Sequence, residues 1–416
     1  MPGRLLVLSN GHGEDLIALR VLQALHRRRP ELEIAVMPLV GEGGAFAAAE
    51  AAGVLRRVGP RRHLPSGGFS NQSLRGLVAD LWAGVLALSW RQWRLVRRWG
   101  RRGEPVLAVG DLLPLLLAWG SGAPYGFIGT PKSDYTWASG PGSAGLAALY
   151  HRCKGSEWDP WEWALMAARR CRLVAMRDAL TARGLRRHGV RALAPGNPMM
   201  DGLRAEPLPA ELSSYRRLLL LGGSRMPEAL GNLRRLLEAL ALLENPDPLL
   251  VLAPCGSRPA PGDWAPLLGG LGFEPAAAPP QLHAAAAWRR GRVLLVVGPG
   301  RFAAWAGCAE LGLAAAGTAT EQLVGLGVPA LSLPGPGPQF KVGFAQRQSR
   351  LLGGSVAVCR TPEVLARRLE LLLHDPQRRD ALGRIGRRRM GAAGGSEALA
   401  RLLEQRLLEP VAGQAG

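Results

Sequence analysis

Most polar residues able to do chemistry in this chain stand directly after short apolar runs. "RLLVLS" is followed by Asn10-Gly11-His12-Gly13-Glu14-Asp15, and "EPVLAVG" by Asp111. "RRLLLL" is followed by Gly222-Gly223-Ser224-Arg225-Met226-Pro227-Glu228, and "LGLAAA" by Gly317-Thr318-Ala319-Thr320-Glu321-Gln322. Each group has its own chemical use. His12 titrates near neutrality, and Asp111 is a carboxylate at a strand end; either can take a proton from a hydroxyl. A helix opening at Gly317 would present backbone N–H groups and the positive end of its dipole, the usual seat of a phosphate. There Gly317 permits close approach and Thr318 adds a hydroxyl. Glu321 either accepts hydroxyls from a ribose or closes a capping box with Thr318. Arg225 can hold phosphate oxygens in a two-pronged fork. These types suit a nucleoside diphosphate in one half of the chain and a proton acceptor in the other.

Other phosphate chemistries fit less well. No GxxxxGK[ST] is present, which removes P-loop phosphotransfer. "GPGRFA" (Gly298, Gly300, Ala303) has dinucleotide spacing, but the next strand ends in Gly317-Thr318 rather than in a ribose-binding acid. There is no DxD pair, so the diphosphate charge falls to arginine and helix dipoles, and neither a metal nor a cofactor is expected.

The elements that must position these residues alternate along the chain. Strand-like runs separated by amphipathic helices imply βαβ units and parallel sheets. A polar, proline-bearing stretch over 195–214 interrupts the alternation, which then restarts. The expected fold is α/β, two doubly wound Rossmann-like domains facing a central cleft. Residues 1–205 form the first domain and 206–395 the second, with a helix and tail over 396–416. Ligands in such sheets bind outside the carboxyl ends of the strands, where these polar groups lie.

In that order and spacing, "SNGHGEDLIALRVLQAL", "LAVGDLLP", "LLLLGGSRMPEAL" and "AAAGTATEQ" resemble lipid-A-disaccharide synthases, and "GTATEQLVGLGVPALSLP" looks like the donor-nucleotide motif of GT-B glycosyltransferases. The first loop departs from the family's GExSGD. Its Gly-His pair is similar to that of the lipid II-forming N-acetylglucosaminyl transferase, another GT-B enzyme. The resemblance implies sugar transfer, of an acylated glucosamine, from a UDP-sugar to a lipid-linked acceptor. It aligns Asp111 with the acid of a GxD loop, and Arg225 and Glu228 with a GSRxxE donor motif. Asp201 aligns with the acid of GHxxxD, with Asn197 where the histidine commonly stands. Gln339 falls in a loop that often contacts the nucleotide. Asn10, Gly11, Gly13, Gly222, Gly223, Ser224 and Thr320 complete the expected binding set. A UDP-N-acetylglucosamine 2-epimerase and a non-catalytic nucleotide- or lipid-binding relative are the alternatives.

The net charge is +20, from 52 Lys+Arg against 32 Asp+Glu, which calls for an anionic partner. Basic residues interleave with aromatics only in "LRGLVADLWAGVLALSWRQWRLVRRWGRR" (74–102), which argues against nucleic acid. Trp and Arg together favour the headgroup region of an anionic membrane; the alternative is a core helix with a basic end. Five scattered cysteines without CxxC point to a reduced, cytoplasmic compartment, and the short apolar start does not suit a signal peptide. The expected place is the cytoplasmic side of the inner membrane, with oligomeric state open.

Overall fold

The structure is a computed structural model and describes residues 3–60, 85–141, 145–243, 247–256, 258–335, 337 and 340–409. The chain divides into two compact units, one of residues 1–134, 150–201 and 393–416, the other of 135–149 and 202–392.

The first unit is built on a parallel sheet. Its strands are β1 (Arg4–Ser9), β2 (Glu33–Pro38), β3 (Arg56–Arg57), β4 (Val106–Gly110), β5 (Tyr125–Gly129), β6 (Cys171–Met176) and β7 (Ala192–Leu193). Their order is β3-β2-β1-β4-β5-β6-β7. Helices α1 (His12–Arg28), α2 (Val85–Gly100), α3 (Leu112–Gly120), α4 (Pro160–Ala167) and α5 (Ala179–Arg186) fill the crossovers. Helices on a parallel sheet leave no wet face, so strand residues are apolar throughout rather than alternating. Accordingly β4 and β5 are buried along their whole length. Phe127 meets Trp158 edge to face, with ring centroids 5.5 Å apart.

The second sheet repeats the plan. It contains β8 (Arg216–Leu221), β9 (Leu249–Cys255), β10 (Glu274–Ala276), β11 (Ala286–Arg290), β12 (Val293–Pro299), β13 (Leu311–Ala314), β14 (Ala330–Ser332) and β15 (Val356–Val358). The order is β10-β11-β12-β9-β8-β13-β14-β15. The sheet is parallel except at one edge, where β10, β11 and β12 run antiparallel. That meander departs from the uniform βαβ alternation expected of the sequence. "AAWRR" is too short and mixed to announce a strand by pattern, and it forms one by hydrogen bonding to β12. Here α6 (Glu228–Ala241), α7 (Thr318–Gly325), α8 (Val342–Leu351) and α9 (Pro376–Met390) cover the sheet. A last helix, α10 (Gly395–Leu403), belongs to the first unit and packs on α1.

Close packing fixes α7, whose start carries the Gly317–Gln322 loop. It is crossed by α9, and a Cβ at Gly383 would collide with the Gly327 carbonyl, one at Gly386 with the Val324 carbonyl. Backbone cannot yield as a flexible side chain can. Gly386→Ala should therefore cost about 1–3 kcal/mol, the range for overpacking. Urea melts should show a lower midpoint with unchanged slope; a wild-type midpoint would disprove the close crossing.

Candidate functional site

In the parallel part of each sheet the strand order reverses once, between β1 and β4 and between β8 and β13. Helices leave these neighbouring strands toward opposite faces, so a crevice opens at their carboxyl ends. The four polar groups singled out from the sequence follow these four strands. All four also reach helix starts, those of α1, α3, α6 and α7.

At the β1/β4 point the first turn of α1 is tied down from below. Ser9 Oγ donates to Asp15 Oδ1 at 2.5 Å, and the Asp15 amide donates to the Gly11 carbonyl at 2.7 Å. Gly11 and Gly110 have φ of 131° and 133°, a region where a side chain would be strained. A Cβ on Gly110 would also lie 2.9 Å from Asn10 Cβ and 3.5 Å from Glu14 Cγ, so the loops after β1 and β4 touch. Asn10 Nδ2 donates to Asp111 Oδ1 at 2.8 Å. The same oxygen accepts the Leu113 amide at 3.2 Å, making Asp111 the N-cap of α3. From β5, Thr130 Oγ1 donates to Glu14 Oε1 at 3.4 Å. Lys132 pairs with the fully buried Glu162 at 2.6 Å, and its charge reaches Asp111. The loop carrying these two residues is pinned further on. Ser133 donates to Asp178, the Asp134 amide to Thr181 Oγ1, and the Glu157 amide to Asp134.

The result is an acidic crevice with unusual proton affinity. Burial pushes the Glu14 carboxyl up to about 7, and the charges of Asp111 and Asp15 add to the shift. Burial also pushes Asp15 up to about 6 and raises Asp111. The sequence analysis did not select Glu14. Its signal was its position two residues after His12 in a loop that follows a strand, but its burial arises only when β4 and β5 pack beside β1. His12 is the first residue of α1.

Asn197 and Asp201 lie where the first unit's long segment ends. Asn197 is buried, and its side chain accepts the Met199 amide at 3.1 Å. With Ile17, Thr130, Arg177 and Met199 it lines a pocket beside the ends of β5 and β6. The Asp201 carboxylate accepts the Gly394 amide at 2.5 Å and the Ser396 amide at 2.7 Å, fastening the start of α10. A pocket-wall role for Asn197 and a helix-start role for Asp201 are the parts their side chains play here.

At the β8/β13 point the two loops again interlock. The Ala315 amide donates to the Leu221 carbonyl at 2.7 Å. A Cβ on Gly222 would collide with Leu233, and Gly223 adopts φ of 92°. Asn232 Nδ2 holds the Gly222 carbonyl at 3.2 Å. Arg225 is partly buried, and that burial lowers its pKa below the usual guanidinium value while Glu228 opposes the shift. Glu228 opens α6 beside Gly337, and Ser224 is exposed between them and the strand. The N-cap of α7 is Gly317, so no side chain caps this helix start. Thr318 is therefore the first helical residue, exposed, and does not fill the capping box considered with Glu321. Thr320 is turned inward and donates to the Ala316 carbonyl at 2.7 Å, a bond that shapes the loop. Gln348 Nε2 supports the Gly317 carbonyl at 3.0 Å. Gln339 lies outside the described residues. Gly298 of the dinucleotide-like spacing packs against Trp305, an ordinary core contact. Among the described residues no cluster of His, Cys, Asp and Glu is arranged to hold a metal ion.

The sequence matches no model of a known protein family and no curated protein. Solved structures do match over nearly the whole chain. MurG of Acinetobacter baumannii is 16% identical, with a TM-score of 0.55, covering 97% of this chain and 100% of its own. The calicheamicin glycosyltransferase CalG4 is 16% identical, with a TM-score of 0.56, covering 97% and 99%. The Neisseria meningitidis UDP-GlcNAc 2-epimerase, solved with UDP-GlcNAc, is 13% identical, with a TM-score of 0.53, covering 97% and 100%. The two Rossmann-like domains expected from the sequence are thus present, and the fold is that of the GT-B glycosyltransferases.

Glu14 also ties stability to pH. Its folded pKa, about 7, lies above the usual 4.5, so the folded protein binds this proton more tightly than the unfolded chain. The group's contribution is complete below the unfolded value and is lost as pH rises through the folded one. Glu14→Gln removes that ionisation. Above pH 7 the variant should gain about 1–3 kcal/mol over wild type, with the gain shrinking toward zero below pH 4.5. Thermal melts at pH 4 and pH 8 check it; equal differences at both would refute the buried acid.

Proposed function

We propose that the protein transfers a sugar from a UDP-sugar to a lipid-linked acceptor, by direct displacement at the anomeric carbon with inversion. The observation that carries the reading is the coincidence of both strand-order reversals with the polar loops chosen from the sequence. One crevice offers carboxylates, the other a guanidinium and an uncapped helix start. The UDP diphosphate would lie against residues 222–228 and 317–322. There Arg225 contributes charge-assisted hydrogen bonds, and α7 contributes its amides and dipole. Glu321 would take the ribose hydroxyls. Departure of the diphosphate then needs no carboxylate-held metal, because Arg225 and the helix start stabilise the negative charge that develops. In the first unit Asp111, or His12, would take the proton of the acceptor hydroxyl. The resemblance to lipid-A-disaccharide synthases makes an acylated glucosamine the preferred sugar.

A 2-epimerase of UDP-N-acetylglucosamine is the second reading, favoured by a structural neighbour of that activity at a similar TM-score. Incubating the protein with UDP-sugars and membrane lipid separates the two. UDP release that requires lipid supports transfer, and epimer formation without lipid supports the alternative. In calorimetry Arg225→Ala should weaken UDP binding by about 1.5–3 kcal/mol, the worth of hydrogen bonds to a charged group. Unchanged affinity would remove the diphosphate from this loop. EDTA should leave turnover intact, whereas strict Mg²⁺ dependence would contradict the mechanism.

A lipid acceptor also requires access to a membrane, and we assign this to α2 and α3. Among the described residues no helix is long and apolar enough to cross a bilayer. The 74–84 part of the basic, Trp-bearing segment lies outside the described residues. In the remainder, α2 turns Leu88, Val96 and Trp99 inward while Trp90 is 59% and Trp93 36% exposed. The two exposed rings stack with centroids 5.0 Å apart. Arg91, Arg94 and Arg98 share the exposed side, and α2 carries no acid. Arg97 donates to the Gly120 carbonyl at the end of α3, which exposes Leu113, Leu116 and Trp119. One side of α2 is thus core, and the other presents aromatic and basic side chains. Each arginine near an anionic surface contributes about 1 kcal/mol, over a Debye length of about 8 Å. Vesicles containing phosphatidylglycerol should therefore float wild type at low salt. A variant with Arg91, Arg94, Arg97 and Arg98 changed to Gln should float several-fold less. Equal flotation would mean the surface does not bind lipid through charge.

A further inference from the structure

Asp111 is oriented by two hydrogen bonds to the same oxygen, from Asn10 and from the Leu113 amide, and Lys132 adds positive charge beside it. These contacts favour its ionised form. Glu14 reaches the same crevice from α1, across Gly110 from Asn10, with Thr130 as a hydroxyl partner. The carboxyls therefore differ in role by position. One is anchored at a strand end by two hydrogen-bond donors, and the other, on the facing helix, takes the Thr130 hydroxyl.

We propose that Glu14 and Asp111 work as one two-carboxyl acid–base unit, in which Asp111 meets the acceptor hydroxyl and Glu14 holds the proton. The proposal rests on the transferase reading for its substrate and on the crevice for its geometry. In the step, the acceptor oxygen bonds the anomeric carbon and its O–H bond breaks. The anomeric C–O bond to UDP breaks, and its electron pair leaves on the diphosphate. The proton passes to Asp111, comes to rest on Glu14, and returns to solvent before the next turnover. The unit must begin doubly ionised. Its second ionisation belongs to the pair, and a base that titrates close to the working pH is the most effective. The charged groups facing Glu14 are Asp15 on its own helix and Asp111 after β4; Lys132 after β5 acts on Asp111. The first two make it harder to ionise, and Lys132 opposes the burial that raises Asp111. Asp111 is the catalytic residue of the pair, and Glu14 acts through it.

The proton can be read without substrate. Carbon-13 NMR of protein labelled at glutamate carboxyls should show one glutamate titrating at about 7, absent in Glu14→Gln and displaced to lower pH in Asp111→Asn. A Glu14 that titrates in the ordinary carboxylate range, or ignores Asp111→Asn, overturns the pair. In turnover, wild-type kcat should fall below neutral pH with unit slope. Glu14→Gln should move that limb at least about one pH unit lower and reduce kcat at pH 8 about tenfold or more, leaving KM for the UDP-sugar within about threefold. An unmoved limb in Glu14→Gln that disappears in His12→Ala would give the proton to His12 and overturn the proposal. If the NMR titration is as stated and no UDP-sugar turns over, the pair is upheld and the transferase reading is what fails.

Discussion

Backbone hydrogen bonding in the two parallel sheets governs what else the molecule can do. Each interior strand spends its amides and carbonyls on its neighbours and its side chains on helices above and below. Leu5 to Leu8, Val106 to Val109 and Leu218 to Leu221 are buried almost without remainder. No polar chemistry fits inside such a layer. It is displaced to the strand ends, and it can gather only where the crossovers part, between β1 and β4 and between β8 and β13. Asn10, Glu14 and Asp111 meet because β1 and β4 are neighbours, and the loops carrying Arg225 and Thr318 meet because β8 and β13 are.

The same plan gathers different side chains in the two units. In the first, carboxylates are drawn together under partial burial, and their proton affinity rises toward neutrality. In the second, a partly buried guanidinium beside Glu228 and a helix start with glycine at its N-cap stand at the strand ends. One arrangement suits accepting a proton and the other suits holding an anion that gains charge. Glycines allow each crevice to be tight: Gly110 lets the loops after β1 and β4 touch, and Gly222 lets α6 sit against β8.

Polar residues elsewhere are consumed by construction. Asp201 closes the backbone at the start of α10, Asp178 and Asp134 hold the loop after β5, and Glu310 accepts from Arg216 and the Arg217 amide. Each of these carboxylates is held by amides or guanidinium groups, whereas burial is the largest influence on Glu14. The apolar surplus goes outward at α2 and α3, where Trp90, Trp93, Leu116 and Trp119 remain in solvent beside arginines.

Several features were legible from sequence because they depend on near neighbours. Uninterrupted apolar runs such as "VLAVG" announce strands buried on both faces, their alternation with helices announces a doubly wound sheet, and a glycine after such a run announces a turn. The loops after β1, β4, β8 and β13 could be chosen on that basis. The short antiparallel meander of β10 and β11 could not, because "EPA" and "AAWRR" are short, mixed runs whose strand character comes from pairing with each other and with β12. Nor could the part played by each acid. Asp111, Asp201 and Glu14 look alike in sequence, each an acid in or near a glycine-bearing loop. The fold made the first the cap of α3 with its proton affinity raised by burial, the second a fastening for α10, and the third a carboxyl that burial pushes up to about 7. Residue type and local spacing set the elements and the places where chemistry can occur. Proton affinity and hydrogen-bond satisfaction depend on burial and on charges contributed by strands a hundred residues away, so only the tertiary structure decided them.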